Sequence, residues 1–128
     1  MNLKQGKFER TLLHYAAFGG CVEVVSLLLE DPRVDVRAVC KNGGTALHYA
    51  AIEDHVEVVK LLLGDARVDV RAVDEEGFSA LLSAVFGGCL EVVKLLLGDP
   101  RVDVRAVCKK GCTALHCAAM KGHVEVVS

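Results

Sequence analysis

Residues 45–63 read TALHYAAIEDHVEVVKLLL, and this stretch holds the pattern from which the fold is predicted. The hydroxyl of Thr45 can cap the first free amides of a helix, and the paired alanines that follow allow a second helix to approach closely. The segment HVEVVKLLL, residues 55–63, predicts a nearly all-apolar helix that exposes only its glutamate and lysine. Because such a helix must be covered on most sides, the two helices need neighbours.

The neighbours are predicted by a repeat of 34 residues. The segment RVDVRAV occurs unchanged at three places, beginning at residues 33, 67 and 101. Self-similarity of this length is typical of repeat proteins, in which each unit contacts only the next. We therefore expect a lead-in at 1–10 and one domain at 11–128, consisting of repeats 11–44, 45–78 and 79–112 and an incomplete repeat 113–128.

The segments between the helices carry their own predictions. Gly64 and Gly98 follow the leucine triplets, where a left-handed residue would end the second helix. The RVDVRAV segment alternates polar and apolar residues, which predicts a short extended arm. Gly43, Gly77 and Gly111 come next at equal spacing, and each is expected to supply a turn.

These motifs resemble those of the ankyrin repeat family. TALH at 45–48 is similar to the family's Thr-Pro-Leu-His turn, and HVEVVKLLL to its Gly-His-x-Glu-Val-Val-Lys-Leu-Leu-Leu helix. Asp69-Val70 followed by Ala72 resembles its Asp-Val-Asn-Ala arm. The resemblance covers 11–128 and implies an all-α solenoid of about three and a half repeats of 34 residues, each with a helix-turn-helix and a projecting β-hairpin-like arm.

The sequence also departs from the family pattern. Arg37, Arg71 and Arg105 stand where the family usually has asparagine, and Leu82 replaces the histidine of the Leu-His motif in the third repeat. A hydrogen bond or modification that depends on that asparagine is therefore not expected.

Family members usually bind protein partners on a concave surface formed by the first helices and the arm tips, and we expect contact residues there. Pairs of residues at i and i+3 share a helix face, and four such pairs occur at one register in the first helices: Tyr15/Phe18, Tyr49/Ile52, Ser83/Phe86 and Cys117/Met120. The predicted arm-tip contacts are Lys41, Glu75, Glu76, Phe78, Lys109 and Lys110. The alternative for each aromatic ring is that it fills a gap between adjacent first helices.

Catalysis is disfavoured by the placement of the histidines. His14, His48 and His116 recur at one repeat position, which predicts buried, hydrogen-bonded rings rather than a reactive site that would occur once. His55 and Cys89 occupy the same register at the start of the second helix, so this position is also predicted to be structural. We expect no enzyme activity and no cofactor.

A metal site is likewise not expected. The one local cluster of zinc-like ligand types, Cys108, Cys112, His116 and Cys117, does not have the spacing of a known zinc finger. The cysteines are predicted to be reduced, because no signal peptide directs the chain to secretion.

The composition limits the expected class of partner and the expected cellular location. The chain is 52% hydrophobic and 25% charged, with a net charge of −2. No apolar run is long enough to span a bilayer, and the charge predicts no general attraction to nucleic acid. We expect a cytoplasmic or nuclear location.

The functional prediction is a non-catalytic module that binds a protein or peptide partner. The alternative is a regulatory or targeting fragment of a larger multidomain enzyme, channel or effector whose activity lies outside this chain. The incomplete repeat ends in HVEVVS, before its leucine triplet. This predicts either fraying after about Ala119 or self-association through the incomplete C-terminal repeat.

Overall fold

Three helix pairs, one in each of the first three repeats, make up the described part of the fold. The computed structural model describes residues 11–105, 107–109 and 111. The first helices pack side by side in one layer and the second helices in another. Within the described ranges there is no strand, and the predicted all-α repeat architecture is confirmed. The helices are α1 Leu12–Gly19, α2 Val22–Glu30, α3 Ala46–Ile52, α4 Val56–Leu63, α5 Ala80–Gly87 and α6 Leu90–Leu97.

Each first helix begins with a hydroxyl cap. The Thr45 hydroxyl accepts a hydrogen bond from the backbone N–H of His48 at 3.4 Å, as predicted. Thr11 caps α1 in the same way, and Ser79 caps α5 by accepting from the N–H of Leu82 at 3.2 Å. These caps satisfy donors that would otherwise be buried without a partner.

A left-handed residue follows each first helix. Gly20 and Gly88 end α1 and α5 with φ values of 71° and 70°, and Asp54 takes the same position after α3 with φ 60°. At Gly20 a Cβ would lie 2.6 Å from Nδ1 of His55. Asp54 of the second repeat is thus a non-glycine residue in a backbone conformation that favours glycine.

The second helices end differently from the prediction. Gly64 and Gly98 have φ values of −78° and −79°, so neither is left-handed. The N–H of Gly64 donates to the carbonyl of Lys60 at 3.1 Å, so the helical hydrogen bonding continues into the glycine. Glu30 fills this position in the first repeat, which shows that a side chain is accepted there. The prediction of a left-handed glycine cap was wrong.

The RVDVRAV segment is not an extended arm. In the first repeat its backbone makes two successive turns, in which Val34 donates to the carbonyl of Asp31 at 3.1 Å and Ala38 to that of Asp35 at 3.3 Å. Val34, Val36 and Ala38 are buried and the residues between them are exposed. The alternation of burial therefore follows the sequence pattern, but successive turns produce it instead of an extended chain.

The arms that follow are hairpin-like and turn at a glycine. In the first arm the N–H of Cys40 donates to the carbonyl of Gly44 at 3.0 Å, and the N–H of Gly43 donates to the carbonyl of Cys40 at 2.9 Å. Gly43 and Gly77 have φ values of 82° and 83°, a region that favours glycine. The predicted turn glycines are thus confirmed.

Successive arms are joined at their tips. Glu75 N–H donates to the carbonyl of Asn42 at 2.8 Å, and Lys109 N–H donates to the carbonyl of Glu76 at 2.9 Å. A Cβ on Gly77 would lie 2.8 Å from the nitrogen of Lys109. The glycine therefore also permits the close approach of the next arm.

Arginines join each repeat to the next. Arg67 and Arg101 each pair with an aspartate two residues earlier and donate from Nη2 to the carbonyls of Leu29 and Leu63. These carbonyls lie in the last turn of the preceding second helix. The side-chain hydrogen bond from Arg67 lowers the pKa of Asp65 below its usual range.

A second set of arginines crosses the same junctions. Arg37 Nε donates to the carbonyl of Arg67 at 2.7 Å, and Arg71 Nε to that of Arg101 at 2.8 Å. These arginines stand where the family usually has asparagine. Because each side chain donates to a carbonyl of the next repeat, Arg37 and Arg71 form contacts between repeats.

Among the second helices, α4 has the predicted pattern of buried and exposed residues. In α4, Glu57 and Lys60 are the exposed residues, while Val58, Val59 and Leu62 are buried. The described helices contain none with both the length and the hydropathy of a membrane span.

Candidate functional site

The repeated histidines are structural. His14 Nε2 donates to the carbonyl of Gly44 at 3.1 Å, and His48 Nε2 donates to that of Phe78 at 2.7 Å. In each ring Nδ1 accepts a hydrogen bond from the N–H of the capping threonine, which requires the neutral ring protonated at Nε2. The prediction of buried, hydrogen-bonded rings is confirmed for both, and His116 lies outside the described residues.

Burial affects how the His48 ring titrates. Desolvation lowers the pKa of His48 below its ordinary value of 6.5, against the smaller raising effects of the Phe78 carbonyl and Asp74. In a protonated ring Nδ1 would carry a hydrogen. It would then face the N–H of Thr45 as a second hydrogen-bond donor, and neither group would have an acceptor. The neutral ring is therefore the form that the fold requires.

The position shared by His55 and Cys89 also connects repeats. His55 Nε2 donates to the carbonyl of Phe18 at 2.8 Å, and the Cys89 thiol donates to that of Ile52 at 3.6 Å. Burial raises the pKa of the Cys89 thiol, with further contributions from the charges of Asp54 and Glu53. The predicted structural role of this position is confirmed.

The exposed face of the first helices is apolar. Tyr15, Phe18 and Ile52 remain 57%, 42% and 41% exposed, although they are large hydrophobic side chains. The ring of Phe18 contacts that of Tyr49 edge to face, with 6.0 Å between the ring centroids. The apolar face is therefore continuous from α1 to α3.

Tyr49 both fills a gap and borders the surface. Its half-buried ring also meets the His14 ring edge to face at 5.7 Å. The Tyr49 hydroxyl lies 2.8 Å from Sγ of Cys40 in the first arm. Gap filling, the alternative considered for each ring, thus describes part of the environment of Tyr49.

The third repeat continues this face with one exception. Phe86 on α5 is half-buried and meets Phe78 of the arm edge to face, with 5.8 Å between the ring centroids. Ser83, which was expected beside Phe86 on the surface, is buried. Its side chain is too short to reach the surface that the tyrosine rings reach at this register, so Ser83 does not contribute to the exposed face. We call Tyr15, Phe18, Tyr49, Ile52 and Phe86 the first-helix stripe.

The arm tips place charges of alternating sign beside the stripe. Lys41, Glu75, Glu76 and Lys109 are exposed, and the backbone hydrogen bonds between arms hold them in successive rows. The carboxylate of Asp74 accepts the N–H groups of Glu76 and Phe78, each at 2.9 Å. Lys110, Cys117 and Met120 lie outside the described residues.

Some exposed apolar residues were missed by the sequence reasoning. Val39, Val73 and Val107 are exposed, although they belong to the constant RVDVRAV segment that was expected to stack between repeats. Their signal was available, because the segment alternates and Val39 follows the buried Ala38. Identity among the copies therefore does not by itself indicate burial.

A further feature of the described residues is the placement of their metal-ligating side chains. No group of three or more histidines, cysteines, aspartates or glutamates within them could hold a metal ion. Cys21, Cys40 and Cys89 form no disulfide. Three members of the zinc-like cluster (Cys112, His116 and Cys117) lie outside the described part of the chain.

Comparison with known families agrees with the structure. A family model for ankyrin repeats in three copies matches residues 1–74 and 66–128. The chain belongs to the ankyrin repeat family. A comparison with curated proteins gives no significant match. Ankyrin repeats generally act as protein–protein interaction modules, and the fold is typically non-catalytic.

Proposed function

We propose that this chain is a non-catalytic module that binds a protein or peptide across the first-helix stripe and the arm tips. The observation that carries the proposal is the exposure of Tyr15, Phe18 and Ile52 on one layer of helices. Large contiguous apolar patches are uncommon on monomeric proteins and often mark interaction sites. We place this activity in the cytoplasm or nucleus.

The contacts along the stripe support an anchoring role. Aromatic residues are enriched in the cores of interfaces, and truncation of a central one often costs about 2 kcal/mol or more in binding. The rings of Phe18 and Tyr49 are packed edge to face against each other. Rings held in this way lose less conformational entropy on binding than free side chains.

The arm tips would supply orientation. Tyr49 reaches Cys40 and Phe86 reaches Phe78, so the stripe and the arms adjoin each other on one surface. The exposed Glu75 lies between the positive charges of the arms on either side. Complementary charges on a partner would increase the association rate and select its register.

A peptide-display selection tests the proposal. A library of random peptides is selected on the wild-type chain, and the affinity of each recovered peptide is measured for the double variant Phe18→Ser, Ile52→Ser. We expect binding to weaken at least tenfold with little change in the melting temperature, because both side chains are already exposed.

The matched control is Val22→Ser on α2, which removes an apolar side chain of similar exposure from the other layer. This variant should bind the selected peptides as the wild type does. Equal loss in both variants, or no loss in the double variant, would refute the proposed surface.

A further inference from the structure

The second repeat differs from its neighbours at the end of its first helix. Glu53 and Asp54 follow Ile52 of the first-helix stripe, whereas the equivalent pairs in the first and third repeats are Gly19-Gly20 and Gly87-Gly88. Both acidic residues are exposed. Among the three described repeats, the second alone therefore places charged side chains at this position. We call Glu53 and Asp54 the helix-end pair.

This placement is unfavourable for the folded chain. The C-terminal end of a helix carries a partial negative charge, which favours cations and disfavours carboxylates. Glu53 is the C-cap residue of α3, and Asp54 has the left-handed φ of 60° that favours glycine. The salt bridges of the described residues include neither carboxylate. Local folding thus does not account for these charges, and a cation supplied by a partner would offset their repulsion.

The arm tip of the second repeat is acidic as well. Lys41 and Lys109 occupy one position of the first and third arms, and Glu75 occupies it in the second. Glu75 and the next residue, Glu76, are both exposed, and within the described ranges no salt bridge includes them. We call Glu75 and Glu76 the tip pair.

The two acidic pairs lie at opposite ends of α3. His48, in the first turn of α3, donates to the carbonyl of Phe78 in the second arm, so this arm adjoins the N-terminal end of the helix. The helix-end pair follows its C-terminal end. The seven residues of α3 extend for about 10 Å, and they include the exposed Ile52 and the half-buried Tyr49. An apolar surface about 10 Å long therefore separates two groups of negative charge.

We propose that the segment bound at the centre of the first-helix stripe is basic, with lysine or arginine on both sides of an apolar anchor. This inference rests on the function proposed above. The anchor packs on Tyr49 and Ile52, and the flanking cations pair with the helix-end pair and the tip pair. Because an extended chain advances about 3.3 Å per residue, cations that span α3 are separated by about three residues or more.

The lysines of the neighbouring arms limit the charge of this segment. Lys41 and Lys109 are exposed on either side of the tip pair, and like charges placed opposite each other across an interface weaken binding. A long polybasic segment would extend over both lysines. A short segment with its cations confined to the second repeat is therefore favoured.

Three peptide-display libraries test this inference. All have the same random apolar centre, which is flanked on both sides by lysine or arginine in the first library, by aspartate or glutamate in the second, and by serine or glutamine in the third. Selection on the wild-type chain should recover binders chiefly from the basic library.

The affinities of the recovered peptides are then measured for two charge-removing variants. Glu53→Gln with Asp54→Asn neutralises the helix-end pair, and Glu75→Gln with Glu76→Gln neutralises the tip pair. Asparagine adopts the left-handed region as readily as aspartate, so the backbone of α3 and its turn is retained. Each variant should bind at least threefold more weakly in about 0.1 M salt, and the loss should shrink in about 1 M salt, because salt screens exposed charges.

The matched control is Glu57→Gln with Glu91→Gln, which removes two exposed carboxylates from the second helices. This control should bind the peptides as the wild type does. Equal recovery from the three libraries, or an equal loss in the control, would overturn the basic partner.

The double variant Phe18→Ser, Ile52→Ser separates this inference from the proposed function. Peptides that lose affinity for this variant but bind both charge-removing variants normally would refute only the basic partner. Peptides that bind the double variant as tightly as the wild type would refute the proposed surface itself, and failure of all three libraries to give a binder would refute both.

Discussion

The buried ring of His48 allows a quantitative prediction about stability and pH. The folded chain holds this ring neutral, with Nδ1 accepting from Thr45 and Nε2 donating to Phe78, and burial lowers its pKa. In the unfolded chain the ring titrates near pH 6.5. Its contribution to stability is therefore complete above about pH 6.5 and is lost as the pH falls toward the lowered pKa of the folded chain.

The variant His48→Leu removes this titration without emptying the site. Leucine already occupies the same register at Leu82, where it is buried. At pH 7.5 we expect a loss of about 1–3 kcal/mol of unfolding free energy, because two backbone groups lose their hydrogen-bond partner. Between pH 7.5 and 5.5 the wild type should lose about 1 kcal/mol more than the variant, since one proton contributes up to about 1.4 kcal/mol per pH unit.

Urea unfolding followed by circular dichroism at pH 7.5, 6.5 and 5.5 provides the measurement. The other histidines are common to both proteins, so the difference between the two curves isolates His48. Parallel curves across this range would refute the reasoning. A gap that widens toward pH 5.5 would show that the folded state binds the proton more tightly than the unfolded state.

Three further substitutions test the junctions and turns, each by chemical denaturation or thermal melting. Asp54→Gly should stabilise the chain by about 1 kcal/mol, because glycine adopts the left-handed backbone of this position without steric cost; a loss of stability would contradict this. Gly77→Ala should destabilise by at least ~2 kcal/mol, since it adds the left-handed penalty to a Cβ only 2.8 Å from the nitrogen of Lys109; a neutral result would show that the arms move apart easily. Arg67→Ala should lower the melting temperature clearly more than Arg33→Ala, because within the described residues only Arg67, of these two, donates a hydrogen bond to a preceding helix; equal effects would mean that this bond contributes nothing.

The fold was predictable where a local sequence pattern is compatible with only one backbone conformation. Thr45 caps a helix in the structure because a hydroxyl before an apolar run satisfies its first amides. Gly43 turns an arm because few other residues adopt a φ of 82°.

The predictions failed where one sequence pattern is compatible with two backbone conformations. Gly64 was expected to be left-handed, but its φ is −78°, and glycine tolerates either region. The alternation in RVDVRAV likewise fits both an extended chain and successive turns, and the hydrogen bond from Val34 to Asp31 decides between them. The local sequence pattern does not indicate which of the two backbone conformations packs against the neighbouring repeat.

The candidate surface was predicted in outline and less well in detail. Phe18 and Ile52 are exposed as expected, because the register of a helix places them together. Tyr49 and Ser83 share another register, yet one is half-buried and the other buried, since side-chain length and the adjoining repeat determine exposure.

The most direct test of the binding surface is a footprint of a bound peptide. The wild-type chain, labelled with 15N, is titrated with a peptide from the display selection, and amide chemical shifts are followed by NMR. We expect the largest shifts in α1, α3 and α5 and at the arm tips, around Phe18, Ile52 and Glu75. Shifts confined to α2, α4 and α6 would contradict the account.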